Sequence, residues 1–293
     1  MRFLIIVALT AAVRGAGASC APEPLDILLT NDDGYRAPGV TALLGALKQA
    51  GHRVTLVAPA VNYSGASTSF TFGPINVTNP EPGVHAVEAS PATAVILGVT
   101  GIFGRETPPD IVISGINKGQ NLGPVTPISG TVGAAIAALQ SIRPPVPAIA
   151  VSTQLIERAA APDSPANVAH YENIAAFIVR LVARLQGGCD AGALLPPGVA
   201  LNINYPPLKP EQIKGIHHAI QGRSPYFDFA LIQDAQGVYQ PRYEEVTPRQ
   251  DVDDADTVPF YQGFITIVPI DGDYTAPDPA REAVRKAIGN TPP

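Results

Sequence analysis

Charge is scarce in this sequence. Asp, Glu, Lys and Arg make up 15% of its 293 residues and hydrophobic residues 46%, which excludes a disordered tail or a charged coiled coil and leaves material for a sizeable core. What charge there is leans negative, formally -6, and works against electrostatic binding to a nucleic-acid polymer or an anionic lipid surface. A phosphate-bearing ligand would need a local positive centre, a metal or a few placed donors. Cysteine is nearly absent: Cys20 and Cys189 are the two, and they form neither a C-x-x-C pair nor a zinc-ligand spacing. Neither precedes an arginine at the spacing of a cysteine phosphatase loop; Cys20 leads to Asp26 and Cys189 to Leu195. Arg-His-Gly, a Walker A sequence and G-x-G-x-x-G are also missing, which sets aside phospho-histidine, ATPase and dinucleotide chemistries. There is no internal repeat and no low-complexity tract.

The amino terminus reads as a targeting segment. Arg2 precedes an apolar run from Phe3 to Val13, and small residues ending Ala16-Gly17-Ala18 follow, the layout of a secretory signal peptide over residues 1–18. The run is shorter than the roughly 20 residues that a transmembrane helix needs, so the expectation is an exported, periplasmic or secreted protein with no transmembrane segment. In an oxidising compartment Cys20 and Cys189 could pair; lipidation of Cys20 is the second-ranked alternative.

From Leu25 short apolar runs alternate with helical patterns. Leu25–Thr30 reads as a buried strand. Val40, Leu43, Leu44 and Leu47 then fall on one helix face, with Pro38 in the first turn and Gly51 as the stop. Residues 54–58, 110–114 and 148–152 read as further strands, with a Gly/Ala-rich helix over 130–140 before the last. This βαβα order predicts an α/β fold, a Rossmann-like, mostly parallel sheet with helices on both faces. Tyr171–Leu185 is predicted as a helix and 199–204 as a strand closing a core over 25–204. Residues 205–262, rich in Pro, Asp, Gln and Tyr, are expected to form loops or an extended arm with a hairpin. Residues 263–293 are expected to supply a last strand and helix.

The chemistry concentrates at predicted strand ends. Asn31-Asp32-Asp33-Gly34 directly follows the first strand, and in open α/β sheets ligands sit at the carboxyl ends of strands. Adjacent carboxylates repel unless something positive lies between them, and Gly34 frees the backbone to turn both toward one point. Such oxygen ligands suit Mg²⁺, Mn²⁺ or Ca²⁺; an isolated Asn-Asp-Asp-Gly would more often be a plain helix-capping turn. Here it has company: Asn62-Tyr63-Ser64-Gly65-Ala66-Ser67, Ser114-Gly115-Ile116-Asn117-Lys118-Gly119-Gln120-Asn121, and Ser129-Gly130-Thr131. Four such stretches on one edge point to a phosphate-plus-metal pocket, since a helix N-terminus offers N–H groups to an anion.

These four motifs, in this order, closely resemble those of the SurE survival-protein nucleotidases. Gly263-Phe264-Ile265-Thr266-Ile267-Val268-Pro269-Ile270 is similar to a strand near that family's C-terminus. The resemblance implies a SurE-like fold, an oligomer-forming C-terminal extension (a homodimer or homotetramer), and hydrolysis of nucleoside 5′-monophosphates, with 3′-monophosphates a possible further substrate, using Mn²⁺ or Mg²⁺. It implies metal ligands at Asp32, Asp33, Ser64 and Asn117, and phosphate contacts at Asn121, Ser129, Gly130 and Thr131; Lys118 is an added candidate. Two departures flank the pocket: Thr93 stands where the family carries Asp, and Pro124-Val125-Thr126-Pro127-Ile128 replaces an acidic and tyrosine-bearing stretch. The expected mechanism is attack by a metal-activated water, with Asp32 and Asp33 catalytic. A phospho-aspartate route is disfavoured because the carboxylates are adjacent rather than spaced Asp-x-Asp. The rival reading is a secreted nucleotide- or phosphate-binding module with little turnover. Arg223 reads as a surface residue, and His217-His218 as one core and one surface histidine.

Overall fold

The computed structural model describes residues 24–188 and 193–289. The expected signal segment, the lipidation site and the Cys20–Cys189 pairing lie outside the described residues.

The chain opens with β1 (Asp26–Thr30), α1 (Pro38–Gln49) and β2 (Arg53–Pro59), followed by a hairpin of β3 (Val77–Glu81) and β4 (Val84–Val87). Then come α2 (Pro91–Leu97), β5 (Ile111–Lys118), α3 (Gly130–Gln140), β6 (Ala148–Thr153), α4 (Pro165–Gly188) and β7 (Ala200–Tyr205). The remainder holds β8 (Ile216–His218), β9 (Phe227–Gln233), β10 (Tyr239–Glu245), α5 (Thr257–Tyr261), β11 (Ile265–Ile270) and α6 (Asp278–Ile288). Among the described residues β1–β8 and β11 form one sheet in the order β3-β4-β2-β1-β5-β6-β7-β11-β8. Pairing is parallel except at β3–β4 and β7–β11. No helix among the described residues is long and apolar enough to cross a membrane.

The two sheet faces are covered differently. Ile27, Leu29, Ile111, Ile113, Ile149 and Val151 pack under α1 and α4. Leu28, Val57, Val112, Ala148 and Ala150 meet α2 and α3 on the other side. Each fully buried Leu or Ile contributes on the order of 1.5–3 kcal/mol. Close approach on both faces depends on small residues. A Cβ on Gly39 would sit 2.1 Å from the Ile116 carbonyl oxygen, so α1 lies against β5 only because that position is glycine. In α3 four buried alanines let the helix lie close to the sheet, while Gly133 lets the loop at Ser67 and Thr68 rest against it.

The chain lays β1, β2 and β4 outward to one side and then returns to place β5 on the other side of β1. That reversal is the topological switch point of the sheet, and the crevice above its carboxyl ends is where ligands bind in such folds.

The segment expected as an arm divides. Residues 216–218 join the edge of the large sheet beside β11, α5 buries Phe260, and only β9–β10 stands out as a separate two-stranded ribbon. Its side chains are mostly exposed, with Phe229, Leu231, Ile232, Tyr239 and Tyr243 facing water. Helix α6 likewise buries none of its residues.

Candidate metal and phosphate site at the sheet switch point

The first strand delivers Asn31 fully buried and Asp32 only 3% exposed. Gly34, at φ +104, then turns the chain, and the turn is closed by Asn31 Nδ2 donating to the Gly34 carbonyl at 2.8 Å. Asp32 Oδ1 accepts from Thr131 Oγ1 at 2.5 Å. Gly130 backs directly onto this carboxylate, since a Cβ there would fall 2.8 Å from Asp32 Oδ2. The half-buried Asp33 accepts from the Lys118 backbone N–H at 2.8 Å and from Asn62 Nδ2 at 3.4 Å.

The second loop is fastened to the same place. Tyr63 N–H donates to the Asp32 carbonyl at 2.7 Å, and Asn62 Oδ1 accepts from Ser64 N–H at 2.7 Å in an Asx turn. This presents Ser64 at the exposed mouth of the crevice. Asn117 is 7% exposed, and its Nδ2 donates to the Gly119 carbonyl at 2.7 Å, leaving Oδ1 for a ligand. The loop that carries Ser64 and the strand end that carries Asn117 are thus both tied by neighbouring residues to the Asp32–Asp33 turn.

Burial dominates the electrostatics. It pushes the Asp32 carboxyl up to about 6, opposed by the Thr131 hydroxyl bond and reinforced by the Asp33 charge. Burial also raises Asp33, against the Lys118 N–H bond and the Lys118 charge. Among the described residues no lysine or arginine side chain forms an ion pair with either carboxylate. A buried carboxylate next to a half-buried one, without such a partner, is costly, and a cation offsets that cost. The donor set is hard oxygen: two carboxylates, a hydroxyl and an amide carbonyl, which fits Mg²⁺, Mn²⁺ or Ca²⁺. No group of three or more His, Cys, Asp or Glu gathers among the described residues, here or elsewhere, so Ser64 and Asn117 would have to complete the ligand set. Asn31 Oδ1, Thr30 Oγ1 and Ser114 Oγ are buried beside this site without a hydrogen-bond partner, the latter two facing each other across β1–β5.

The phosphate candidates separate into two groups. Ser129 N-caps α3 by accepting from Val132 N–H at 3.1 Å, and Gly130 and Thr131 form the helix's first turn, where N–H groups lack intrahelical acceptors. Lys118 keeps an exposed side chain at the rim. Asn121 is occupied otherwise: its Nδ2 donates to Ser152 Oγ at 2.7 Å, and its backbone N–H donates to Asn204 Oδ1 at 2.7 Å. His217 is half-buried against Phe264 and His218 exposed, both on the far sheet edge; Arg223 is exposed near Asp251.

Several residues that position the site were not singled out in the sequence. The Asn121 carbonyl accepts from Asn202 Nδ2, Asn204 Nδ2 and Thr126 Oγ1 at 2.9, 3.1 and 3.2 Å. Gly123 N–H donates to both oxygens of Asp256 at 3.1 Å, and Gly222 N–H to Oδ1 at 2.9 Å. The available signal was Leu201-Asn202-Ile203-Asn204-Tyr205, two amides on one face of an otherwise apolar strand. Thr93 in α2 pins the second loop, its Oγ1 accepting from Thr71 N–H at 2.8 Å.

Asp256 is fully buried, and burial raises its carboxyl to about 6 from an ordinary 3.8, against the Gly222 and Gly123 bonds. Because the folded acid is the weaker one, its stabilising effect is complete below about pH 4 and lost as pH rises through 6, by about 3 kcal/mol. Asp256→Asn should gain relative to wild type over that window in urea unfolding from pH 4 to 7. A difference between the two that does not vary with pH would refute this account.

A mostly parallel α/β sheet with a carboxylate pair at its switch point defines a Rossmann-like protein with a hard-oxygen ligand site. The comparisons narrow the class. The family model described as "Survival protein SurE" matches residues 27–228. The 5′-nucleotidase SurE of Actinobacillus pleuropneumoniae serotype 5b is 36% identical over 260 residues, covering 86% of this chain and 96% of that one. The 5′/3′-nucleotidase SurE of Yersinia pseudotuberculosis serotype O:1b is 36% identical over 271 residues, covering 90% and 96%. The crystal structure of the SurE protein from Aquifex aeolicus superposes with a TM-score of 0.70 at 30% identity, over 90% of this chain and 99% of that one. The chain belongs to the SurE family.

Proposed function

We propose that the chain is a divalent-metal-dependent phosphomonoesterase that hydrolyses nucleoside 5′-monophosphates, and also 3′-monophosphates, to nucleoside and phosphate. The observation that carries this reading is the buried Asp32 beside the half-buried Asp33, neither in an ion pair with a basic side chain among the described residues, with Asp32 set against the first turn of α3. The names borne by the Actinobacillus and Yersinia relatives support the substrate class.

Asp32, Asp33, Ser64 and Asn117 would hold the cation, which when bound supplies Lewis acidity to a phosphoryl oxygen and lowers the pKa of water. The chain's own residues do the rest. Thr131 Oγ1 and Lys118 N–H fix the two carboxylates in orientation. The Ser129 hydroxyl, the opening N–H groups of α3 and the Lys118 ammonium face an anion seated beside them and stabilise charge on its equatorial oxygens. One of the two carboxylates accepts a proton from the attacking water. The exposed β9–β10 ribbon supports a homodimer or homotetramer as part of the same reading, and the amino-terminal sequence supports export.

The test is turnover of p-nitrophenyl phosphate and a nucleotide panel, with EDTA and with Mn²⁺, Mg²⁺ or Ca²⁺ restored. EDTA should abolish hydrolysis and one cation should recover it. Turnover indifferent to EDTA would remove the metal from the reading, and no turnover with any cation would leave a binding module.

A further inference from the structure

One buried titratable group takes no part in the chemistry above. His170, in α4, is 3% exposed, and its Nδ1 is buried without a hydrogen-bond partner. Its Nε2 lies 2.8 Å from Thr153 Oγ1, and its ring meets Tyr205 edge-on with centroids 5.8 Å apart. Thr153 Oγ1 is also 2.7 Å from the Tyr205 carbonyl and 3.1 Å from the Gln154 carbonyl. The hydroxyl has one proton, and the Tyr205 carbonyl, at the shorter distance, takes it. His170 therefore donates from Nε2–H, and Nδ1 is the bare acceptor. Burial pushes the imidazole down to about 4, against a bond to the Gln154 carbonyl, so it is uncharged at neutral pH.

An idle buried nitrogen costs stability, and α4 does not need His170 to stay in place. Tyr171, Ile174, Ile178 and Val182 already fasten that helix to the core. What the imidazole holds is the end of β6. Thr153 is the last residue of that strand and fully buried, and its carbonyl accepts from Gly119 N–H at 2.6 Å. The register between β5 and β6 shifts between Ser114 and Asn117, after which Asn117 pairs with Ser152 and Lys118 with Thr153. The tip of β5 is thus aligned by the tip of β6, not by an unbroken ladder. That tip serves the site: Asn117 Nδ2 donates to the Gly119 carbonyl at 2.7 Å, leaving Oδ1 for a ligand, and Lys118 N–H donates to Asp33 Oδ2 at 2.8 Å. Without the imidazole the Thr153 proton is free to alternate between the Tyr205 and Gln154 carbonyls, and the backbone that meets Gly119 loses its fixed orientation.

Resting on the metal-site reading, we propose that His170 is a positioning residue: through the Thr153 hydroxyl it sets the end of β6, and with it Asn117 and the Lys118 N–H that orients Asp33. It touches neither the cation nor the substrate.

The experiment is calorimetric titration of Mn²⁺ into the full chain, paired with urea unfolding in the absence of metal. His170→Leu should weaken Mn²⁺ binding roughly tenfold, the lower end of what the loss of an outer partner of a metal ligand costs. Its metal-free unfolding midpoint should not fall, because leucine fills the space and buries no idle nitrogen. His170→Gln, which keeps an N–H donor at the end of a side chain of similar reach, should recover most of the affinity. A purely structural histidine would give the opposite pattern, a lower midpoint with Mn²⁺ affinity intact, and that result would overturn the proposal. So would equal losses of affinity in His170→Leu and His170→Gln. Should His170→Leu fail to fold, the other end of the bond decides: Thr153→Val, which keeps the shape and deletes the hydroxyl, should bind Mn²⁺ more weakly than Thr153→Ser, and equal affinities count against the proposal. A wild type that binds no divalent cation would sink the metal-site reading and this proposal with it; binding by wild type that is indifferent to both positions would sink this one alone.

Discussion

Asp32→Asn is expected to lower kcat/KM on any accepted phosphomonoester by about 10³-fold while leaving the metal-free protein more stable than wild type. The two effects have one cause. The Asp32 carboxylate is 3% exposed, beside a second carboxylate, with one hydroxyl donor from Thr131 and no basic side chain paired to it among the described residues. Replacing it by the isosteric amide keeps an acceptor for Thr131 and removes an uncompensated buried charge, a gain of about 1–3 kcal/mol at neutral pH. The same change deletes an anionic ligand. A cation at such a site contributes several kcal/mol to the transition state, about a factor of ten for each 1.36 kcal/mol. Thermal unfolding with and without Mn²⁺ reads both halves. Wild type should gain stability as Mn²⁺ is added, by mass action on the folded state, and the variant should not. A variant that binds Mn²⁺ as wild type does, or is less stable without it, would place the ligand elsewhere.

How much of this could be read from the residues depends on the range of the interaction. β1, α1 and α3 were legible because their signals are local: an apolar run, apolar spacing behind Pro38, and an Ala-rich stretch opened by Ser129. Observed bounds of Pro38–Gln49 and Gly130–Gln140 follow those signals. β3 and β4 were not singled out: β3 is wholly exposed, so burial imposes no alternation on it, and Pro80 interrupts it. The stretch at 205–262 looked like loops because its order comes from distant partners. Asp256 ties down Gly123 and Gly222, and Tyr226 OH bonds the Gln120 carbonyl at 2.5 Å. The site divides the same way. Asp32, Asp33, Ser64 and Asn117 were read at strand ends whose positions follow from βαβ order, and the backbone and Asn62 bonds to Asp32 and Asp33 tie those three strand ends together. Asn121 carries the same motif signal, yet its amide faces Ser152, because Asn202 and Asn204 hold its backbone from a strand some 80 residues away. A motif places a residue in a loop, and the partners of that loop decide where its side chain turns.

Gly133→Ala should destabilise the protein by about 1–2 kcal/mol and weaken Mn²⁺ binding several-fold, although alanine is the better helix former. Gly133 lies inside α3, where Ala for Gly normally gains about 1 kcal/mol. Here a Cβ would stand 2.1 Å from the Ser67 carbonyl oxygen, 2.4 Å from its carbon and 2.8 Å from Thr68 N. All three are backbone atoms, so no side chain can swing aside. The loop cannot yield freely either: Ser67 sits at φ +52, its Oγ donates to the Pro127 carbonyl at 2.6 Å, and its N–H donates to the Ile128 carbonyl at 3.0 Å. Overpacking of this kind costs about 1–3 kcal/mol, which outweighs the propensity gain. The displaced loop also carries Ser64, three residues upstream of the clash, so the injury reaches the metal ligands. Gly45→Ala is the matched control. It lies in α1 with nothing within 4 Å of its Cβ position, and the same substitution there should stabilise by up to about 1 kcal/mol and leave Mn²⁺ affinity untouched. Urea unfolding and Mn²⁺ titration of the two variants side by side decide the matter, and equal stability gains at positions 45 and 133 would show that the second loop does not rest on α3 as described.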